Sequence, residues 1–238
     1  MKSTGDGIKS ENANWQFKGE VVENFDEHVS RSVPFYNETQ ELVCRISDFF
    51  VKKDSVIYDL GSSTGTLLAN MSQRHAAKNA RFIGIDHEEE MVSKASDKIK
   101  SKKINNIEFI CDDIVTHEYE STSLVISSYT IQFVHTNHRQ DLINKIYESL
   151  EWGGGFLMIE KVRAPDARFQ DMMIQIYNDF KESQGFTPSE ILAKSQSLKG
   201  VMEPFSTSGN LGLLSRAGFV DVMPVSKYVC FEVLLAIK

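Results

Sequence analysis

The chain is poor in cysteine. Its 238 residues hold 3, Cys44, Cys111 and Cys230, which match neither the paired spacing of a zinc site nor an even disulfide framework, so a reducing setting and no bound metal are expected. It also lacks any apolar run near the roughly 20 residues of a membrane-spanning helix, which excludes a helical membrane protein. The opening stretch MKSTGDGIKSENANWQF has no apolar core of the secretory kind; a cytoplasmic location and a disordered segment over 1–15 are the expectations. Net positive charge is missing too. The formal charge of -7 disfavours a broad electrostatic grip on nucleic acid phosphates, and the one basic run, KASDKIKSKK at 94–103, reads as a solvated helix face. No internal repeat and no low-complexity linker divides the chain, which leaves a single domain over 16–238.

What the chain does have, from residue 55 onward, is an alternation of short apolar runs with amphipathic stretches. That pattern predicts an α/β fold with a parallel sheet wrapped by helices. Strands are expected at 55–60, 81–86, 107–113, 123–129 and 154–162, with helices around 65–75, 88–101 and 137–151. Leu142, Ile143, Ile146 and Leu150 share one face of the last helix, which should stop at the following glycines. Upstream, a helical period broken at Pro34 predicts two helices with a bend between them. A helical insertion over 166–200 reads as a lid or dimer element. A further helix and two strands, VDVMPVSKY and CFEVLLAIK, would complete a Rossmann-like seven-stranded sheet with an antiparallel edge.

The chemistry concentrates at YDLGSSTG, residues 58–65. A strand ending in Gly61 and a helix starting at Gly65 form a turn at the carboxyl edge of the sheet, where open α/β folds bind ligands. The turn has no lysine to meet a triphosphate, and its glycine spacing departs from the dinucleotide pattern. Asp59 repels a pyrophosphate but attracts an ammonium, so a zwitterionic ligand fits better. Asp86 stands where an acidic residue binds both ribose hydroxyls, about 20 residues past the turn. Asp112 or Asp113 can accept from the exocyclic amine of adenine while Ile114 packs on the ring, although capping the next helix is an alternative for one of the aspartates. Ser128 can reach the middle of the ligand. Taken in order, these residues describe S-adenosylmethionine, with a nicotinamide cofactor as the remaining alternative.

With those residues in place, the chain resembles the class I methyltransferases, and among them most closely the carboxy-S-adenosylmethionine synthases of bacterial tRNA wobble-uridine modification. The matching stretches include RSVPFY at 31–36, IGIDHEEEMV at 83–92, TIQFV at 130–134, NDFKESQGF at 178–186 and RAGF at 216–219. The resemblance implies that Tyr36 closes over S-adenosylmethionine, that Gly61, Ser62 and Ser63 line its amino acid end, and that Gly65, His87 and Met91 join the cofactor set. It also assigns Asp86 to the ribose, Asp113 and Ile114 to the adenine, and Ser128 to the methionine part.

Two positions depart from the family pattern. Ser128 stands where the synthases have asparagine, and Ser195 stands where their arginine grips the added carboxylate. A hydroxyl cannot replace a bidentate charge-assisted contact, so Lys194, Lys199 or Arg168 would have to supply the charge. Methyl transfer to a small-molecule acceptor is therefore the first expectation, with His135 as the one base candidate, or else an exposed loop histidine. The alternatives are a synthase using prephenate and a non-catalytic S-adenosylmethionine-binding paralogue. A homodimer is expected in each case.

Overall fold

The computed structural model describes residues 1–238. A short hairpin, β1 (Lys2–Ser3) with β2 (Lys9–Ser10), leads to α1 (Glu20–Ser32) and α2 (Tyr36–Ile46). The sheet-forming part follows as β3 (Val56–Leu60), α3 (Thr66–Arg74), β4 (Arg81–Asp86), α4 (Glu89–Ser101), β5 (Ile107–Cys111), β6 (Thr122–Ser128), α5 (Thr136–Ser149) and β7 (Leu150–Lys161). Helices α6 (Ala167–Ser183) and α7 (Pro188–Ser197) fill the expected insertion, and α8 (Thr207–Ala217), β8 (Asp221–Tyr228) and β9 (Phe231–Ile237) close the chain. No helix is long and apolar enough to cross a membrane.

The strand order is β5-β4-β3-β6-β7-β9-β8. Only β9 runs against its neighbours, so the antiparallel strand lies one place inside the edge and not at it. Because successive strand residues point to opposite faces, the apolar runs feed two cores at once. Ile57, Phe82, Leu124 and Leu157 pack under α2, α3 and α4, while Tyr58, Ile83, Val125 and Phe156 pack under α5 and α8. The chain leaves β3 toward β4 on one side and returns to β6 on the other, which opens a crevice at the carboxyl ends of β3 and β6.

Two local differences from the sequence reading have physical causes. Strand β7 starts at Leu150, before the expected 154, because Gly154 and Gly155 let the chain extend where a side chain would meet backbone or the Phe50 ring. Residues 1–15, expected to be disordered, carry the hairpin and attach to α7 through Ala13 N–H to the Gln196 carbonyl (3.0 Å) and Trp15 N–H to the Ser197 carbonyl (3.1 Å). The attachment is tightened by Asp6, whose buried carboxylate accepts from Arg31 and meets His28 Nδ1 at 2.7 Å. Burial, reinforced by Lys194, lowers His28 to about 4. Arg31 also donates to the Gln184 carbonyl at 2.7 Å, so α1, α6 and the hairpin share one polar knot.

Asp6→Ala is expected to weaken the attachment of this segment by about 1–3 kcal/mol, the cost of stripping the acceptor from buried donors. Amide exchange should quicken over residues 1–15 and remain slow in β3 and β6.

Candidate active site

The turn after β3 is held in a shape few sequences can take. Gly61, Ser63 and Gly65 all have positive φ (72°, 48° and 71°), and an added side-chain carbon would strike Thr130 at Gly61 or Phe109 at Gly65. The first N–H groups of the turn are not free for a ligand: those of Gly61 and Ser62 donate to the Ile85 carbonyl at 2.8 and 3.0 Å. Ser63 N–H donates to Asp86 Oδ2 at 2.9 Å, and Glu88 N–H donates to Oδ1 at 3.0 Å. Asp86 thereby ties the end of β4 to the turn. Burial pushes its carboxyl up, and the two N–H bonds partly offset this.

Asp59 lies beneath, 2% exposed. Its Oδ1 has no hydrogen-bond partner, nor has Ser62 Oγ. Burial, with the nearby Asp86 charge, raises Asp59 from the ordinary 3.8 to about 7. From α1, Asp26 accepts from Thr64 at 2.6 Å and pairs with Lys98 at 3.0 Å, which presses the N-terminal helices onto the turn.

These groups face one cavity of about 900 Å³, a size suited to a cofactor together with a small substrate. Tyr36, Asp59, Gly61, Ser62, Ser63, Asp86, His87, Met91 and Ser128 line it. The bend at Pro34 delivers Tyr36: Val33 is extended, as a residue before proline prefers, and Phe35 turns left-handed at φ 55°. Tyr129, also left-handed at φ 58°, faces Tyr36 with ring centroids 6.4 Å apart.

Four expected residues lie outside the cavity. Gly65 serves packing against Phe109. Asp112 is engaged by His117 Nδ1 at 2.7 Å, which holds its carboxyl low. Asp113 closes its own turn by accepting from Val115 N–H at 2.8 Å, and Ile114 is buried in the core beneath α5. His135 is likewise outside, an exposed cap of α5 that accepts from Asn137 N–H. Ser195 and Lys199 line the cavity, and Arg168 does not.

The other end of the cavity is cationic. Lys161, Lys181 and Lys194 all line it, and none makes a side-chain hydrogen bond or ion pair. Lys161 does not pair with the adjacent Glu160, since neighbours in a strand face opposite ways. Glu160 instead accepts from the Ile131 and Gln132 N–H groups at 3.0 and 2.9 Å. Burial, then the charge of Lys161, lowers Lys181 to about 8. Lys194 is pushed well down by burial and Lys181, and lies against the Trp15 ring. Sequence reasoning found the arginine missing at 195 and offered Lys194 in its place, but not Lys161 or Lys181, because α6, α7 and β7 bring the lysines together only in space.

Comparison with known proteins fits this site. The methyltransferase domain family matches residues 57–154. The carboxy-S-adenosyl-L-methionine synthase of Staphylococcus epidermidis is 38% identical over 225 residues, which cover 94% of this chain and 97% of that protein. The chain belongs to the carboxy-S-adenosyl-L-methionine synthase family. Another member, from Nautilia profundicola, is 35% identical, with 94% of each chain covered. Solved structures share the fold: an S-adenosylmethionine-dependent methyltransferase from Aquifex aeolicus (TM-score 0.60, 16% identity, 93% of this chain and 99% of that one) and human N-acetylserotonin methyltransferase (0.62, 19%, 92% and 55%). The family member described here is an S-adenosylmethionine-dependent transferase. The unpartnered Asp59 and Ser62 oxygens and the oriented Asp86 fit that cofactor's cationic and hydroxyl groups.

A raised carboxyl pKa means that the folded protein holds the Asp59 proton where the unfolded chain releases it. Stability of the ligand-free protein should then fall as pH rises from about 4 to about 7. Asp59→Asn is expected to raise stability at pH 8 by on the order of 2 kcal/mol and to change it little near pH 4, as read by urea melts.

Proposed function

We propose that the chain is a carboxy-S-adenosyl-L-methionine synthase taking its carboxyl group from prephenate. The methyltransferase with a small-molecule acceptor, favoured from sequence, ranks below it. The observation that carries this reading is the opposite charge of the two ends of one cavity, acidic at Asp59 and Asp86 and cationic at Lys161, Lys181 and Lys194. An acceptor-methylating enzyme has no need of two amines, Lys161 and Lys181, without counter-ions beside a third, Lys194, that only Asp6 offsets, whereas a reaction whose substrate and product both carry carboxylates does. The loss of the family arginine at Ser195 thus leaves the cavity well supplied with positive charge.

In this reading Asp59 and Ser62 receive the amino acid end of S-adenosylmethionine, and Asp86 accepts from the ribose hydroxyls. Ser128 sits against the methionine part, and Tyr36 covers the ligand from α2. In the overall reaction prephenate gives up its carboxyl group and ring hydroxide to become phenylpyruvate, the hydroxide takes one proton of the sulfonium methyl as water, and that carbon gains the bond to the carboxyl group. Burial under Tyr36 and Tyr129 excludes water and strengthens each charge contact. The exposed apolar residues Phe169, Met172 and Ile176 of α6 form the face a second copy would cover in a homodimer.

Purified protein given S-adenosylmethionine and prephenate should form the carboxylated sulfonium, detected by its mass; methylation of an added acceptor without that product would overturn the proposal. Asp86→Ala should weaken S-adenosylmethionine by roughly 1.5–3 kcal/mol in calorimetry, as for loss of a charged hydrogen-bond partner. Unchanged affinity would remove Asp86 from the ribose.

A further inference from the structure

We infer that Lys161 and Lys181, both set on the ring of Tyr177, form the site that takes a carboxylate of the incoming keto acid, apart from the residues that hold the sulfonium ligand. The inference rests on the synthase reading and names the residues that recognise its second substrate.

Each Nζ lies 4.3 Å from the centre of the Tyr177 ring, and Lys161 Nζ is also 5.9 Å from that of Phe231. Tyr177 is fixed, because its hydroxyl donates to the Ser32 carbonyl at 2.8 Å and its ring meets Phe231 edge-on at 5.2 Å. The two amines therefore have defined places, yet neither has a hydrogen bond or a carboxylate partner. The charged groups that influence them are one another, Lys199 beside Lys161, and Lys194 near Lys181. The remaining neighbour, Cys230, is a buried thiol whose pKa burial raises, so it offers no anion. Among the nearby acids, Glu160 accepts from two backbone N–H groups, and Glu232 Oε2 is held by Lys227 at 2.9 Å and Thr207 at 2.7 Å while its Oε1 is unpartnered; Glu182 and Glu203 also line the cavity, and neither forms an ion pair with Lys161 or Lys181.

A ring face attracts an ammonium but cannot replace the hydrogen bonds it loses on burial. Two such amines, aimed into one cavity with like charges around them, are a preorganised receptor for an anion. Their location selects which anion. Ser128 pairs with Ile159 across β6 and β7, and Lys161 lies two residues beyond, so the cationic pair adjoins the crevice where the sulfonium part would sit. Lys194 and Lys199, lining the same end, leave room for a second carboxylate; the class that matches is a 2-keto dicarboxylate.

The test compares Lys161→Met and Lys181→Met, which keep the aliphatic stems, and Lys161→Arg and Lys181→Arg, which keep the charge. Carboxylated product is followed against prephenate concentration, and S-adenosylmethionine affinity is measured separately by calorimetry. Each methionine variant should raise KM for prephenate about 10- to 100-fold, the worth of one charge-assisted contact, with S-adenosylmethionine affinity unchanged and part of the loss restored by arginine. An unaltered KM, or a KM increase matched by an equal loss of S-adenosylmethionine affinity, would overturn the inference while leaving the synthase reading intact. If wild-type protein forms no carboxylated product, that reading fails, and phenylpyruvate binding by calorimetry decides the site. Binding to wild type that Lys181→Met abolishes upholds an acid receptor, and no binding to wild type overturns it.

Discussion

The working edge of the sheet depends on how one carboxylate divides its two oxygens. Asp86 gives Oδ2 to Ser63 N–H and Oδ1 to Glu88 N–H, and so fixes the left-handed turn after β3 to the start of α4. The turn can stay left-handed at Ser63 because that bond, with the Ile85 carbonyl holding Gly61 and Ser62, compensates a backbone conformation that L-residues avoid. Once the turn is set, Asp59 is trapped beneath it and Thr64 is held for Asp26. The acid end of the cavity is therefore a product of backbone geometry as much as of side-chain chemistry.

Around that edge the ligand-free protein stores unfavourable electrostatics in two separate places. The acids resist ionisation because they are buried near each other, and the amines resist protonation for the same reason. The charges that shift each group belong to its own end, Asp86 for Asp59 and Lys161 for Lys181. A cationic ligand at one end and an anionic one at the other would relieve both.

The parallel strands and their helices were legible in the sequence because each apolar run is short, bounded by turn residues and repeated in register. Asp86 was legible for a related reason: a strand end is a position that periodicity can locate. Gly65 was read as a ligand contact; its lack of a side chain also admits the Phe109 ring, a packing use that nothing in the sequence distinguishes from the first. Asp112 and Asp113 have partners, His117 and the local backbone, at a range that spacing cannot reveal. Lys194 was named from its place beside Ser195, but its grouping with Lys161 and Lys181 was invisible for a deeper reason. Lys161, Lys181 and Lys194 sit on three different elements, and no spacing in the chain relates them.

The docked hairpin bears on the order in which the molecule assembles. Trp15 forms part of the cavity wall, yet its backbone partner is Ser197, so the first residues synthesised bind among the last. On a ribosome, strands β3 to β7 can pair while α7 is still unmade, with Leu213, Leu214, Val233 and Leu234 completing the two cores later, and the N-terminal arm must wait undocked for most of translation. That late closure joins two distant parts of the chain, a contact of high sequence separation that forms slowly and, once formed, seals the wall beside Lys194. With Phe231 of β9 also in its wall, the binding cavity therefore matures late.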